Sequence, residues 1–256
     1  GGKGRSPGAV RFFPERSLAK FSGLGYNSGM KYKFLLWDAD DTLLDYKASE
    51  RQAFCRTMRA FGVEPDEKLC QIYHDYNKSL WKQFKQKRIT REEIRLQRFV
   101  YLADLLGLQD DPKALAERYV QELSEGFFTL PEAGQVLAAL PDCEHYLLTN
   151  GITEVQEKRL KGSGLAGYFR EVFVSERAGA QKPDPRFFEY AFSQIPGFEL
   201  GRALMIGDSL SADMAGARGV GLACCWFNPE GKPAGDFRPD FEIRSLPEVL
   251  PLVLGE

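Results

Sequence analysis

The sequence predicts an α/β fold: a parallel sheet with helices on both faces, interrupted near its start by an inserted α-helical bundle. Two observations carry that prediction. From Pro131 onward, short apolar runs alternate with amphipathic stretches, the pattern of strands joined by crossover helices. Between about Tyr46 and Thr129, apolar residues instead recur at helical spacing, with no strand pattern among them.

Taken in order, the first strand is Lys33-Phe-Leu-Leu-Trp37, an apolar run ended by a cluster of Asp residues. Phe54, Met58 and Phe61 then fall at i, i+4 and i+7, and Leu69, Ile72, Tyr73, Tyr76 and Leu80 form a second helical stripe. Thr90 with Glu93 makes a capping box, opening a helix that holds Ile94, Tyr101, Leu102 and Leu105. Asp111-Pro112 supplies an N-cap and a first-turn proline for a helix carrying Leu115, Tyr119, Val120 and Leu123. Four or five helices are expected in this segment.

Beyond Pro131, helices are expected at about 132–140, 153–161, from Asp184-Pro185 to about Gln194, and at about 211–218. Strands His145–Thr149, Glu171–Ser175, Ala203–Ile206 and Leu222–Trp226 alternate with them. The first strand belongs to the same sheet, so the helical segment is an insertion into a Rossmann-like core. The organisation expected is an α/β core over 30–45 and 130–256 and a helical cap over 46–129.

Residues 1–29 differ in texture. They hold five basic residues and one acid, are rich in Gly and Ser, and lack periodicity. They read as an added tail foreign to the fold; an organelle transit segment is the alternative. Without them the formal net charge moves from -2 to -6.

The 256 residues, 43% of them hydrophobic, form a soluble globular composition with ample material for a core. No run approaches the roughly 20 apolar residues that span a bilayer. No basic block points to a nucleic acid polymer. The five cysteines are odd in number and include no C-x-x-C pair, so zinc is not indicated. They read as buried small hydrophobes in a reducing, cytoplasmic setting.

In open parallel sheets, ligands bind at the carboxyl ends of strands. The polar residues expected there are Asp38-Ala39-Asp40-Asp41-Thr42, Thr149-Asn150-Gly151, Lys182-Pro183 and Gly207-Asp208-Ser209, with Asp213 five residues beyond Asp208. Each group alone is ordinary turn chemistry. Together they place three or four carboxylates near one lysine. Two like charges about 4 Å apart repel by roughly 4 kcal/mol at an effective dielectric near 20. A divalent cation relieves this, and an all-oxygen site with few protein ligands suits Mg²⁺.

These four groups, in this order and at these strand ends, resemble the haloacid dehalogenase superfamily of phosphohydrolases over almost all of Met30–Glu256. The resemblance implies that Asp38 is a covalent nucleophile forming an aspartyl-phosphate and that Asp40 is the general acid and base. It implies phosphate binding by Thr149, the backbone N–H of Asn150, and Lys182. It implies Mg²⁺ ligation by Asp38, the Asp40 carbonyl and Asp208, with Asp213 acting through water. Thr42 is expected to brace its loop. An acid at position 40 sets the chain apart from dehalogenases of the superfamily.

The stretch Asn77-Lys78-Ser79-Leu80-Trp81 resembles bacterial pyrimidine 5′-nucleotidases of the superfamily. So do Leu148–Gly151, Arg159-Leu160, and Leu222–Asn228. This implies a 5′-nucleotidase whose small phosphate monoester substrates are pyrimidine nucleoside monophosphates, with Asn77, Lys78 and Trp81 as candidate contacts. The alternatives are another small-molecule phosphatase acting on phosphoglycolate or sugar phosphates, a phosphoglucomutase, or a non-catalytic binding protein that kept the fold.

Overall fold

The computed structural model describes residues 9–10 and 30–255. Among them, seven strands form one sheet: β1 (Ala9–Val10), β2 (Phe34–Trp37), β3 (Glu144–Thr149), β4 (Phe169–Val174), β5 (Ala203–Gly207), β6 (Ala223–Phe227) and β7 (Phe241–Ile243). Their order is β1-β4-β3-β2-β5-β6-β7. β1 runs antiparallel to β4, and the other pairings are parallel. Apart from β1, the tail expected over 1–29 lies outside the described residues.

The chain leaves β2 to one side, through β3 and β4, then returns to β5 on the other. β2 is therefore the switch point of the sheet, where a crevice opens at the carboxyl ends. β7 has no counterpart in the sequence reading, because three residues between turns are too short to show a pattern.

The chain divides into two compact units, one of residues 1–45 and 129–256 and one of 46–128. The second unit holds four helices: α1 (Tyr46–Ala60), α2 (Glu67–Lys85), α3 (Arg91–Leu106) and α4 (Pro112–Ser124). Asp66 caps α2, the Thr90–Glu93 box caps α3, and Asp111 with Pro112 starts α4. Its core joins Phe54, Tyr73, Phe99 and Tyr119 in aromatic contact. Buried polar groups lie beside them. Asn77 donates to Glu50 Oε1 at 2.5 Å and accepts from Arg98 at 3.3 Å, while His74 Nδ1 lies 2.8 Å from Glu50 Oε2.

In the α/β unit, alternation along β2 sends Leu35 and Trp37 into one apolar layer and Phe34 and Leu36 into the other. The first layer packs against α5 (Ala133–Ala139), Leu160 of α6 (Thr153–Gly162) and α10 (Val249–Leu254). After the single turn α7 (Ser175–Ala178), the second layer takes Phe187, Phe188 and Ala191 from α8 (Pro185–Gln194) and Ala217 from α9 (Ala215–Gly219). Cys224 and Cys225 fall in opposite layers, and the five cysteines are free. The helix expected at 211–218 begins instead with a π-helical turn, Leu210–Met214, before α9. None of the described helices is long and apolar enough to cross a membrane.

Candidate active site

Trp37 pairs with Leu147 of β3 and Ile206 of β5, so the residues just past each strand emerge at one edge. The Asp38 N–H donates to the Ile206 carbonyl at 2.9 Å, extending the pairing by one residue. The chain then turns tightly. Leu43 and Leu44 N–H both donate to the Ala39 carbonyl, and Asp41 N–H to that of Leu44. Asp41 has a φ of 61°, a left-handed conformation that short polar residues tolerate. Ala39 is buried in the core below, leaving Asp38 and Asp40 as polar residues of the turn.

Lys182 is the hub of the site. It is buried, and its ammonium lies 2.6 Å from Asp38 Oδ1, 2.6 Å from the Leu148 carbonyl and 2.7 Å from Asp213 Oδ1. The ammonium thus makes two hydrogen bonds, to Asp38 and Leu148, and an ion pair with Asp213. The Asn150 side chain clamps the backbone of Lys182 through two hydrogen bonds of 2.9 Å. Thr42 is buried; it donates to Asp38 Oδ2 at 3.2 Å and accepts from Asp208 N–H at 3.1 Å, tying two strand-end loops together.

Asp213 accepts from Ser209 N–H at 3.0 Å, and it fits only because residue 207 is glycine. A Cβ there would meet its carboxylate at 2.5 Å. Trp226 donates its indole N–H to the Asp208 carbonyl at 2.8 Å, bracing that loop from β6.

A second group surrounds Asp40. Its Oδ1 is ion-paired with Arg159, and its Oδ2 accepts from Gln156 at 2.6 Å. Gln156 also donates to Thr149 Oγ1 at 3.0 Å, which accepts from Gly151 N–H at 3.0 Å as well. Both acceptor positions of the Thr149 hydroxyl are then filled, leaving its proton to be donated.

Electrostatically the two groups differ. Asp40 has Arg159, but Asp38, Asp208 and Asp213 share one lysine. Carboxylate oxygens of those three lie within 4.8 Å of one another. Burial lifts the Asp38 carboxyl from 3.8 to about 7; Lys182 pulls it down, and Asp213 and Asp40 push it up. Burial, then the charges of Asp38, Asp213 and Asp41, lifts Asp208 from 3.8 to about 8. Burial works against the Lys182 ammonium, but Asp213 and Asp38 outweigh it and raise its pKa. Fully ionised, three carboxylates and one ammonium leave two negative charges. That charge, on hard oxygen donors, fits a divalent cation such as Mg²⁺.

The structure thus brings together Asp38, Asp40, Thr149, Asn150, Lys182, Asp208 and Asp213. Asn77, Lys78 and Trp81 lie on α2 of the other unit. Asn77 is buried and bonded to Glu50 and Arg98, Lys78 is exposed, and Trp81 is half-buried, edge-on to Phe84. His145 is buried, accepts from the Trp37 indole at 3.1 Å and is held near pKa 4 by burial, so it is neutral and structural. Sequence reasoning missed Gln156 and Arg159 as site residues. One signal for them existed: both occupy the stripe of α6 that Val155 and Leu160 mark as buried.

A parallel arrangement of strands with an acid–lysine cluster at its switch point is the layout of an α/β enzyme, with the crevice at the strand ends as the candidate site. More particularly, the chain belongs to the haloacid dehalogenase-like hydrolases, whose family model matches residues 32–221. It is 39% identical to the pyrimidine 5′-nucleotidase PynA of Streptococcus pneumoniae, over 86% of this chain and 94% of that one. It is 30% identical to the pyrimidine 5′-nucleotidase YjjG of Escherichia coli, over 86% and 97%. The crystal structure of the HAD-hydrolase YfnB from Bacillus subtilis, bound to magnesium, superimposes with a TM-score of 0.83. The two chains are 36% identical, with 87% of this chain and 99% of that one covered.

Proposed function

We propose that the chain is a Mg²⁺-dependent phosphatase of small phosphate monoesters, and more narrowly a 5′-nucleotidase acting on pyrimidine nucleoside monophosphates. The observation that carries the first part is Asp38 itself. One oxygen is held by Lys182 and the other by Thr42, among two further carboxylates. The second part is supported by two relatives that bear the nucleotidase name at 39% and 30% identity.

In this reading an Asp38 oxygen attacks phosphorus in line, forming the aspartyl-phosphate O–P bond as the ester P–O bond breaks. Asp40 gives its proton to the departing alkoxide. It then takes a proton from the water whose oxygen attacks phosphorus, and the bond to Asp38 breaks. The Thr149 hydroxyl, the Asn150 N–H and Lys182 hold phosphate oxygens. Asp38, Asp208 and the Asp40 carbonyl would hold Mg²⁺, which when bound screens the repulsion between nucleophile and phosphate. Asp213, engaged by Lys182 and Ser209, would add its negative charge to that site.

A substrate panel tests the reading. UMP, dUMP and dTMP are expected to show higher kcat/KM than phosphoglycolate and sugar phosphates. Trp81→Ala and Lys78→Ala are expected to raise KM for the nucleotides more than for p-nitrophenyl phosphate. Equal turnover across the panel contradicts the nucleotidase reading. Absence of Mg²⁺-dependent p-nitrophenyl phosphate hydrolysis contradicts the phosphatase reading.

A further inference from the structure

Asp40 sits in a tight turn, and its carboxylate has a broad terminal torsion. Its side chain is 28% exposed, whereas that of Arg159 is 1% exposed. A buried guanidinium on the inner stripe of α6 is a poor way to stabilise a helix. Apolar side chains of similar volume do as well or better there. The structure nevertheless spends Gln156 and Arg159 on that stripe, and aims both at one half-exposed carboxylate. Arg159 Nη1 also donates to Gln156 Oε1 at 3.3 Å, so the two side chains fix each other. Gln156 in turn reaches Thr149.

Gly151 is part of the same device. A Cβ at that position would lie 2.4 Å from Gln156 Nε2. The glycine after Thr149-Asn150 therefore lets Gln156 lie across the loop and touch Asp40.

We propose that Gln156 and Arg159 are positioning residues that hold both oxygens of Asp40 in the orientation for proton transfer, and that Gln156 locks this orientation to the Thr149 hydroxyl. The proposal rests on the reading of Asp40 as proton donor and acceptor. Such a group needs placement to within about 0.5 Å and 10–20°.

The test compares kcat/KM for UMP, an alkyl ester whose leaving oxygen needs a proton, with that for p-nitrophenyl phosphate, whose leaving group departs without one. If UMP is not accepted, the best alkyl phosphate of the panel replaces it. Arg159→Met is expected to lower the alkyl-ester value by about 10²-fold, the lower end of what a general acid contributes. It should leave the p-nitrophenyl value nearly unchanged. Arg159→Lys should recover part of the loss.

Combined with Asp40→Asn, Arg159→Met should cost little more than Asp40→Asn alone, because both remove the same contribution. Gln156→Met, which also releases the Thr149 hydroxyl, should lower both values but the alkyl-ester value more, and carries the test if Arg159→Met fails to fold. Equal losses on both substrates, or a double variant whose loss is the product of the single losses, would overturn the proposal. If Asp40→Asn itself shows no preference for the alkyl ester, the reading of Asp40 fails, and the positioning role falls with it.

Discussion

In the helical unit, buried Arg98 and Glu50 are joined through Asn77, and the guanidinium also reaches the Tyr73 hydroxyl and lies 4.3 Å above the Tyr119 ring. At the sheet edge, one ammonium, that of Lys182, stands among Asp38, Asp208 and Asp213. Both regions bury charge contributed by chain segments far apart in sequence. In the first, one positive and one negative group offset each other through hydrogen bonds within the protein, although Arg98 Nε has no partner among the described residues. In the second, negative charge remains over. A matched network serves the fold; an unmatched one is poised for a ligand that supplies the missing positive charge.

That contrast can be broken by substitution. The largest effect is expected at the sheet edge. Asp38→Asn removes the nucleophile and hardly any volume. Activity should fall by at least about 10⁴-fold, on the scale of lost nucleophiles in other enzymes, with thermal stability kept. A variant that keeps both stability and turnover would place the chemistry elsewhere. Arg98→Met should do the reverse. It leaves the Asn77 carbonyl and the Tyr73 hydroxyl without their donor and removes the positive charge that offsets Glu50, costing about 3–5 kcal/mol of unfolding free energy in denaturant titrations. A cost near zero would show that the helical network is not matched as described.

A smaller effect follows from the raised carboxyl groups. Asp38 and Asp208 are held near 7 and 8 in the fold against an ordinary value of 3.8. Because the folded values lie above the unfolded ones, their contribution to stability is present below about pH 4. It is lost as pH rises through 7 to 8. The metal-free protein should therefore melt at lower temperature at pH 8.5 than at pH 6.

Much of this site was legible in the sequence. Asp38 and Asp208 stand directly after apolar strands and Thr149 ends one, so a polar residue interrupts an obvious pattern, and the parallel arrangement alone brings strand ends to one edge. Lys182 follows no strand directly; its place between two elements made it a candidate, and the family resemblance gave it a role. Gln156 and Arg159 were harder. They sit on a helix with other polar residues, and only the fold reveals that the partner of both is Asp40, more than a hundred residues earlier.

Asn77 shows the same limit. Its place on the stripe of α2 marks it as buried. Whether it meets a ligand or Glu50 depends on a contact 27 residues away that no local pattern encodes. The sheet-edge glycines make the converse point. Gly151 and Gly207 look like turn residues, yet each also leaves room for one polar side chain, Gln156 or Asp213.

The most direct test of the unmatched charge at the sheet edge is a calorimetric Mg²⁺ titration of the metal-free protein at pH 7, repeated in buffers of different ionisation enthalpy. Uptake at one site should release protons from the raised carboxyl groups, tighten as pH rises from 6 to 8.5, and disappear in Asp208→Asn. Failure to bind Mg²⁺, or binding that releases no proton and ignores pH and Asp208→Asn alike, would contradict the account.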